Sequence, residues 1–146
     1  MKFPGNPACN MKSPKEVVDM MMAKDYFSQW LGIKVLESGN GKSKLSMVVR
    51  NEMLNGFGIA HGGITYCLAD SALAFSSNSH GKKAVSVETS ISHLISLAEG
   101  DEIIAEAKEE HCSNKIGTYS IVIKRVSDNA VVALFKGTVY RTSKDW

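Results

Sequence analysis

The longest apolar stretch of the chain runs from Gly62 to Ser79 and carries a single charged side chain, Asp70. Its apolar residues fall on every side of a helical wheel, which is typical of a helix enclosed in the core. Its serines, its paired glycines and its carboxylate are not typical of a membrane span. The pattern therefore predicts a long central helix that buries one carboxylate, and an ionised carboxylate is rarely buried without a partner or a function.

Six other segments alternate between apolar and polar residues and are separated by turn sequences: 33–37, 42–50, 85–92, 102–110, 118–126 and 131–142. A period of two over such lengths predicts strands. The sequence Gly39-Asn40-Gly41 between the first two segments is a hairpin signal. In the third segment, a regular period puts Val85 and Val87 on one face with Thr89 and Ile91, and Ser86 on the opposite, polar face.

The N-terminal part predicts an irregular arm over residues 1–12, followed by a helix. Ser13-Pro14-Lys15-Glu16 offers a capping serine, a proline at the first helical position and a glutamate at the third. Apolar residues at helical spacing follow, and the helical region is expected to end near Gly32.

Two strands, one buried helix and four strands with short connections predict a mostly antiparallel sheet wrapped around that helix. This is an α+β fold, with an additional N-terminal helix. The chain has 146 residues without repeats or linkers, so residues 1–146 are expected to form one domain.

Composition excludes several classes of function. The net charge is +2 and no basic run is longer than Lys82-Lys83, so no nucleic-acid partner is predicted. Three widely spaced cysteines without a CxxC motif suit reduced thiols in the cytoplasm, and the N-terminus lacks the continuous apolar segment of a signal peptide. The four histidines match no ligand spacing, so no metal is predicted.

The start of the central helix, His61-Gly62-Gly63, leaves bare backbone where a helix has unpaired N–H groups and the positive end of its dipole. Such a sequence serves either as a turn or as a site for an anion or oxyanion. Asp70 follows Gly62 by roughly 12 Å along the same helix. If both residues act on one substrate, Asp70 has to come from a second subunit, which predicts two composite sites per two-fold dimer.

Four sequence features together resemble the hotdog-fold acyl-CoA thioesterases, and most closely the phenylacetic-acid degradation (PaaI-like) group: Asn55-Gly56, His61-Gly62-Gly63, Leu68-Ala69-Asp70-Ser71-Ala72 and Asn78-Ser79. The resemblance extends over about residues 26–141. It implies a hotdog fold and hydrolysis of an aryl-acetyl-CoA, of the phenylacetyl or hydroxyphenylacetyl type, or a similar acyl-CoA. It implies no cofactor, because coenzyme A is part of the substrate.

The resemblance and the residue chemistry suggest roles for five residues. The Gly62 N–H would polarise the thioester carbonyl, and Asp70 would act either as a general base or as a nucleophile. Ser86 would orient a water beside Asp70, as its match in the family does, or would be a solvent-facing strand serine. Asn55 would hold the His61-Gly62 loop or bind the water, or it would only form a turn before Gly56. His61 would orient the loop by hydrogen bonding rather than act as a base.

Coenzyme A carries phosphates, so cations are expected at the mouth of the site, and the candidates are Lys82, Lys83, Lys115 and Arg141. The sequence departs from the family at one loop. After the third strand the phenylacetate group has an aromatic-Leu-basic-Pro run, whereas this chain has His93-Leu94-Ile95-Ser96, without the basic residue and the proline.

Two alternative functions remain open. A hotdog dehydratase or hydratase would need a histidine paired with the carboxylate, and no histidine lies near Asp70 on the same helix. A non-catalytic acyl-CoA-binding protein would keep the pocket without needing Asp70. In each case half a hotdog sheet leaves an open edge, so a homodimer is expected, assembled into a homotetramer as a dimer of dimers. No membrane partner is expected.

Overall fold

The computed structural model describes residues 11–146. Its elements are α1 (Pro14–Met22), α2 (Tyr26–Leu31), β1 (Lys34–Gly39), β2 (Lys42–Val48), a 3-10 turn (Asn51–Met53), α3 (Gly62–Asn78), β3 (Lys82–His93), β4 (Glu102–Cys112), β5 (Ile116–Arg125) and β6 (Val131–Asp145). The strands form one antiparallel sheet in the order β1-β2-β4-β5-β6-β3. Helix α3 packs on this sheet, which confirms the predicted α+β hotdog fold. The predicted arm, residues 1–12, lies outside the described residues except for its last two.

The N-terminal helix begins as predicted and divides into two parts. Ser13 and Glu16 exchange side-chain to backbone hydrogen bonds of 2.7 and 3.2 Å, which form a capping box. Asp25 then starts α2 by accepting the Ser28 N–H at 2.9 Å. Gly32 ends α2 with a φ of 74°, a left-handed conformation that glycine adopts at little cost.

Helix α3 is enclosed by the sheet on most of its surface. Its buried residues are Thr65, Leu68, Ala69, Ala72, Leu73, Phe75, Ser76, Ser77 and Asn78. The prediction of burial on every side fails along one stripe, where Cys67, Asp70 and Ala74 remain partly exposed in the single chain. Within residues 11–146, no helix has both the length and the hydropathy that crossing a membrane requires.

Two contacts fix the position of α3 on the sheet. A Cβ on Gly137 of β6 would lie 2.5 Å from the Leu73 side chain, so the close approach of α3 to β6 depends on that glycine. At the other end of the helix, Asn78 accepts the Ala84 N–H at 2.9 Å and donates to the Ala84 carbonyl at 3.0 Å. These bonds fix the turn from α3 into β3 and therefore the placement of the β3 side chains against the helix.

The regular alternation predicted for β3 is wrong. Its pairing with β6 shifts between Ser86 and Glu88, where β3 accommodates one extra residue in a β-bulge. Ser86 pairs with Val139, which is buried, so Ser86 lies on the face that is turned to α3. Val85 and Val87 are instead 57% and 60% exposed. One extra residue reverses the face of every position beyond it, so a period of two does not extend across a bulge.

Candidate active site

Asp70 projects from the partly exposed stripe of α3 into a cavity of about 250 Å³. Its carboxylate has no hydrogen-bond or ion-pair partner within residues 11–146. Burial, and secondly the negative charge of Asp25, raise the pKa of the Asp70 carboxyl above its ordinary value of 3.8. A carboxylate of raised pKa holds a proton more readily, so Asp70 has the properties of a general base.

The Asp70 cavity is shared with Ser86. Its lining residues are Asp70, Leu73, Ala74, Ser77, Ala84, Val85, Ser86 and Val139. The pairing of β3 with β6 places Ser86 on the face that is turned to α3, and its side chain is exposed in the single chain, so both expectations for this serine stay predictions. Asp70 from α3 and Ser86 from β3 both line this cavity, so a water bound there could contact a carboxylate and a hydroxyl.

The start of α3 leaves one backbone donor free. His61 is the N-cap residue, and its Nδ1 accepts the Gly63 N–H at 3.0 Å. The Gly62 N–H has no acceptor within residues 11–146, and it lies at the positive end of the helix dipole. The His61 ring is therefore engaged in holding this turn, in agreement with a role in orienting the loop, while Gly62 offers a donor to a ligand.

A second cavity, of about 310 Å³, opens in front of Gly62. Its lining residues are Asn55, Ile59, Ala60, Gly62, Thr65, His93, Leu94, Ile95, Ser96 and Leu97. The Asn55 Oδ1 accepts the Phe57 N–H at 2.9 Å and so forms a turn. The Asn55 Nδ2 has no acceptor in the described part of the chain. Asn55 thus forms a turn and lines the cavity with a free amide donor, and its role toward the loop or the water stays a prediction.

Gly62 and Asp70 line different cavities of the single chain. The distance between the two residues along one straight helix predicts that they lie in different cavities. One chain therefore offers the carbonyl-binding donor in one place and the carboxylate in another.

His93 is a residue of this site that the sequence analysis did not identify. A Cβ added to Gly62 would lie 3.0 Å from the His93 Nε2, so the imidazole ring lies directly against the start of α3. The sequence marked His93 only as a departure from the family. The sequence could not place His93 in the site, because its contact with Gly62 joins the end of β3 to the start of α3. Local sequence patterns do not predict contacts between distant segments.

Three of the four predicted phosphate-binding residues come together. A cavity of about 230 Å³ is lined by Lys82, Asn114, Lys115, Arg141, Thr142 and Ser143. Lys82 is paired with Asp145 at 2.5 Å, whereas Lys115 and Arg141 have no carboxylate within ion-pair distance among the described residues. The Arg141 Nε is buried without a partner there. Lys83 lies outside this basic cavity, with its ammonium 5.1 Å from the centre of the Trp146 ring.

Two other features do not belong to the site. A groove of about 870 Å³ lies over β1, β2, β4 and β5, and two of its lysines, Lys44 and Lys124, are paired with Glu106. His80, Glu109 and Cys112 also lie together, with potential ligand atoms within 4.8 Å. One Glu109 oxygen already binds both His80 and the buried Tyr119 hydroxyl. The absence of a metal stays a prediction.

A six-stranded antiparallel sheet packed on one long helix is the architecture of the hotdog domains. Residues 57–132 match the model of the thioesterase superfamily, and the chain belongs to that family. It is 41% identical over 145 residues to an Archaeoglobus fulgidus protein that carries an esterase name, a match that covers 99% of this chain and 94% of the relative.

Two further comparisons concern a protein of Escherichia coli. The chain is 35% identical over 121 residues to the acyl-coenzyme A thioesterase PaaI, a match that covers 83% of this chain and 86% of the relative. The solved structure of the E. coli PaaI protein from the phenylacetic acid degradation operon superposes with a TM-score of 0.88 and 32% identity, over 90% of this chain and 95% of that one. These findings confirm the resemblance inferred from the sequence.

Proposed function

We propose that this chain hydrolyses acyl-CoA thioesters to a free acid and coenzyme A, with an aryl-acetyl-CoA of the phenylacetyl or hydroxyphenylacetyl type as its substrate. The observation that carries the proposal is the free Gly62 N–H at the start of α3, on the same helix as an unpartnered, half-buried Asp70. The name of the E. coli relative and its operon support the substrate class.

The two groups act together in a dimer. If α3 of one subunit lies antiparallel to α3 of the other, Gly62 of one comes close to Asp70 of the other. The Gly62 N–H holds the thioester oxygen as negative charge develops on it, and the helix dipole adds to that stabilisation. Asp70 of the partner subunit either takes a proton from water or attacks the carbonyl carbon itself. Ser86 of that partner subunit orients the water.

The assay that tests the proposal measures thiol release from a panel of acyl-CoA substrates. We expect the highest kcat/KM on aryl-acetyl-CoA, and unchanged rates after dialysis against a chelator, because the reaction needs no cofactor. Tight binding of acyl-CoA without thiol release would contradict the proposal and favour a binding protein. Addition of water to an enoyl-CoA without thiol release would instead favour a hydratase, for which His93 beside Gly62 supplies a histidine.

The edge strand β3 supports the expected homodimer. Within residues 11–146 it pairs with β6 alone, so its other edge has no strand partner there. Val85 and Val87 on this strand are more than half exposed. A second copy that pairs along β3 would close this edge, and the partly exposed stripe of α3 would be covered as well.

We predict that light scattering finds a dimer, or a tetramer built from two dimers, at assay concentration. A charged substitution on the exposed edge, Val87→Lys, should shift the protein toward monomers and lower the activity in proportion, because each site needs two chains. The matched control is Val126→Lys, an exposed valine at the end of the β5–β6 hairpin. A monomer with full specific activity would contradict the shared site.

The basic cavity is proposed to bind the phosphates of coenzyme A. Lys115 and Arg141 lack carboxylate partners, so their charges are available to an anion. Arg141 pairs across the sheet with Ala84, which lines the Asp70 cavity. The coenzyme A phosphates would therefore lie on the subunit that provides Asp70 to the shared site.

We predict that Lys115→Ala raises the KM for acyl-CoA about threefold to tenfold, the effect of losing on the order of 1 kcal/mol. The kcat should stay unchanged, because the reacting atoms lie elsewhere. Lys83→Ala is the matched control. The ammonium groups of Lys115 and Lys83 both lie over aromatic rings, those of Tyr140 and Trp146, but Lys83 lies outside the basic cavity. An equal rise in KM for both variants, or a rise that persists with an acyl-pantetheine substrate lacking the nucleotide, would contradict this assignment.

The cytoplasmic location is part of the same proposal. Cys67 and Cys112 are free thiols in the structure, and Cys9 lies outside the described residues. Free thiols are typical of proteins kept in a reducing compartment.

A further inference from the structure

The ring of His93 closes one side of the cavity in front of Gly62. Its Nδ1 lies 3.2 Å from the Thr65 Oγ1, and its Nε2 lies on the side of the ring that faces Gly62. Leu94 to Leu97, which follow it, continue the wall of the same cavity. His93 thus places a ring nitrogen against Gly62, the residue whose backbone N–H is proposed to hold the thioester oxygen.

Thr65 determines which ring nitrogen of neutral His93 carries the proton. The Thr65 hydroxyl has one proton, which it donates to the Gly62 carbonyl oxygen at 3.0 Å. With its proton on the Gly62 carbonyl, the Thr65 oxygen accepts from His93, and this arrangement assigns the hydrogen to the Nδ1. In neutral imidazole the other nitrogen is then an acceptor. The cavity presents a donor, the Gly62 N–H, and close to it an acceptor, the His93 Nε2.

This pair of groups selects the chemistry of what binds beside the thioester. The carbonyl oxygen of the substrate is an acceptor and matches the Gly62 N–H. The His93 Nε2 needs a donor, and a thioester group itself has none. Every coenzyme A thioester, whatever its acyl group, carries an amide N–H in its pantetheine arm, two carbon atoms from the sulfur. That N–H is the nearest donor on the thiol side of the reacting carbon.

We infer that the His93 Nε2 accepts a hydrogen bond from the first amide N–H of the pantetheine arm and so recognises the thiol part of the substrate. The inference rests on the proposed function and adds a residue to it. The sequence departs from its group here, without the basic residue and the proline of that loop. His93 gives this chain a different, neutral contact with the arm. It positions the thioester and takes no part in proton transfer.

The test uses two small phenylacetyl thioesters that differ in one group. One has N-acetylcysteamine as its thiol part and keeps the amide N–H, and the other has 2-mercaptoethyl acetate, in which an ester oxygen replaces that N–H. We expect wild type to prefer the amide by roughly tenfold in kcat/KM, because the ester leaves Nε2 unpaired and brings two acceptors together.

Two variants separate recognition from packing. His93→Asn keeps a polar group near Thr65 but has no atom at the position of Nε2. The ratio of kcat/KM for the amide to kcat/KM for the ester should therefore fall to about one. His93→Gln can bring its carbonyl oxygen to that position and should restore at least part of the preference. On acyl-CoA, the Asn variant should show a raised KM with little change in kcat, and the Gln variant should recover.

Three results would overturn the inference: no preference for the amide in wild type, an unchanged preference in His93→Asn, or equal losses in the Asn and Gln variants on acyl-CoA. The last comparison decides the question if neither small thioester is turned over. Failure of the proposed function is distinguishable, since wild type would then release no thiol from acyl-CoA at all. Melting temperatures of both variants control for folding.

Discussion

Replacement of Asp70 by asparagine is expected to lower kcat by about 10²–10⁴-fold, the range that a general base contributes. Asparagine has nearly the same shape as aspartate but neither takes up a proton at neutral pH nor attacks a thioester. KM should change little, because Gly62 and the basic cavity still bind the substrate. Steady-state kinetics with a thiol-release readout measures this, and a variant with nearly wild-type kcat would contradict the role of Asp70.

The same substitution should leave the fold and the oligomer intact. The pKa of Asp70 is raised in the folded protein by burial and by Asp25, so the folded state disfavours the ionised carboxylate. This cost is present when the pH is above the raised pKa and disappears as the pH falls below it. A neutral asparagine side chain avoids the cost at every pH, so at pH 7 the melting temperature of Asp70→Asn should equal or exceed that of wild type.

The decline of the rate at low pH is a second, independent measurement of the role of Asp70. The rate should fall as the pH drops through the pKa of Asp70, which lies above the ordinary value of 3.8. Asp25→Asn is a suitable companion variant, because asparagine also caps helices well and the Ser28 N–H keeps its acceptor. It removes one cause of the shift, so its acid limb should move to lower pH while kcat on the plateau is kept.

Much of the fold could be predicted because its signals are local. The capping residue Ser13 and the apolar run from Gly62 to Ser79 each determine structure through near neighbours in the chain. The same is true of the alternating segments, which became strands close to their predicted bounds. The position of Asp70 relative to Gly62 also followed from sequence, because helix geometry fixes the distance between residues on one helix.

The parts that could not be predicted depend on contacts between distant segments. The bulge next to Val87 follows from how β3 pairs with β6, and it brought Ser86 to the Asp70 cavity although the sequence had assigned this serine to a polar face. His93 meets Gly62 only after the whole of β3 has packed beside α3. The basic cavity likewise forms from β3, β6 and the turn between β4 and β5, so the sequence alone does not separate Lys83 from Lys82, Lys115 and Arg141.

The central claim is that Gly62 and Asp70 of different subunits form one site, and a pair of inactive variants tests it. Gly62→Pro removes the proposed donor, and proline suits the first position of a helix. The backbone of His61, with a φ of −60° and a ψ of 135°, is also compatible with a following proline. Any side chain at this position approaches His93, so Gly62→Ala, which keeps the N–H, is the matched control for crowding.

The decisive measurement is the activity recovered when Gly62→Pro and Asp70→Asn are unfolded and refolded together in equal amounts. Random pairing makes about half of the dimers mixed, and each mixed dimer has one site with both defects and one intact site, so activity should approach roughly a quarter of wild type. Each variant refolded alone should stay at background. If the mixture also stays at background while light scattering shows dimers and the Gly62→Ala control remains active, the two residues do not act across the subunit interface and the shared-site mechanism is wrong.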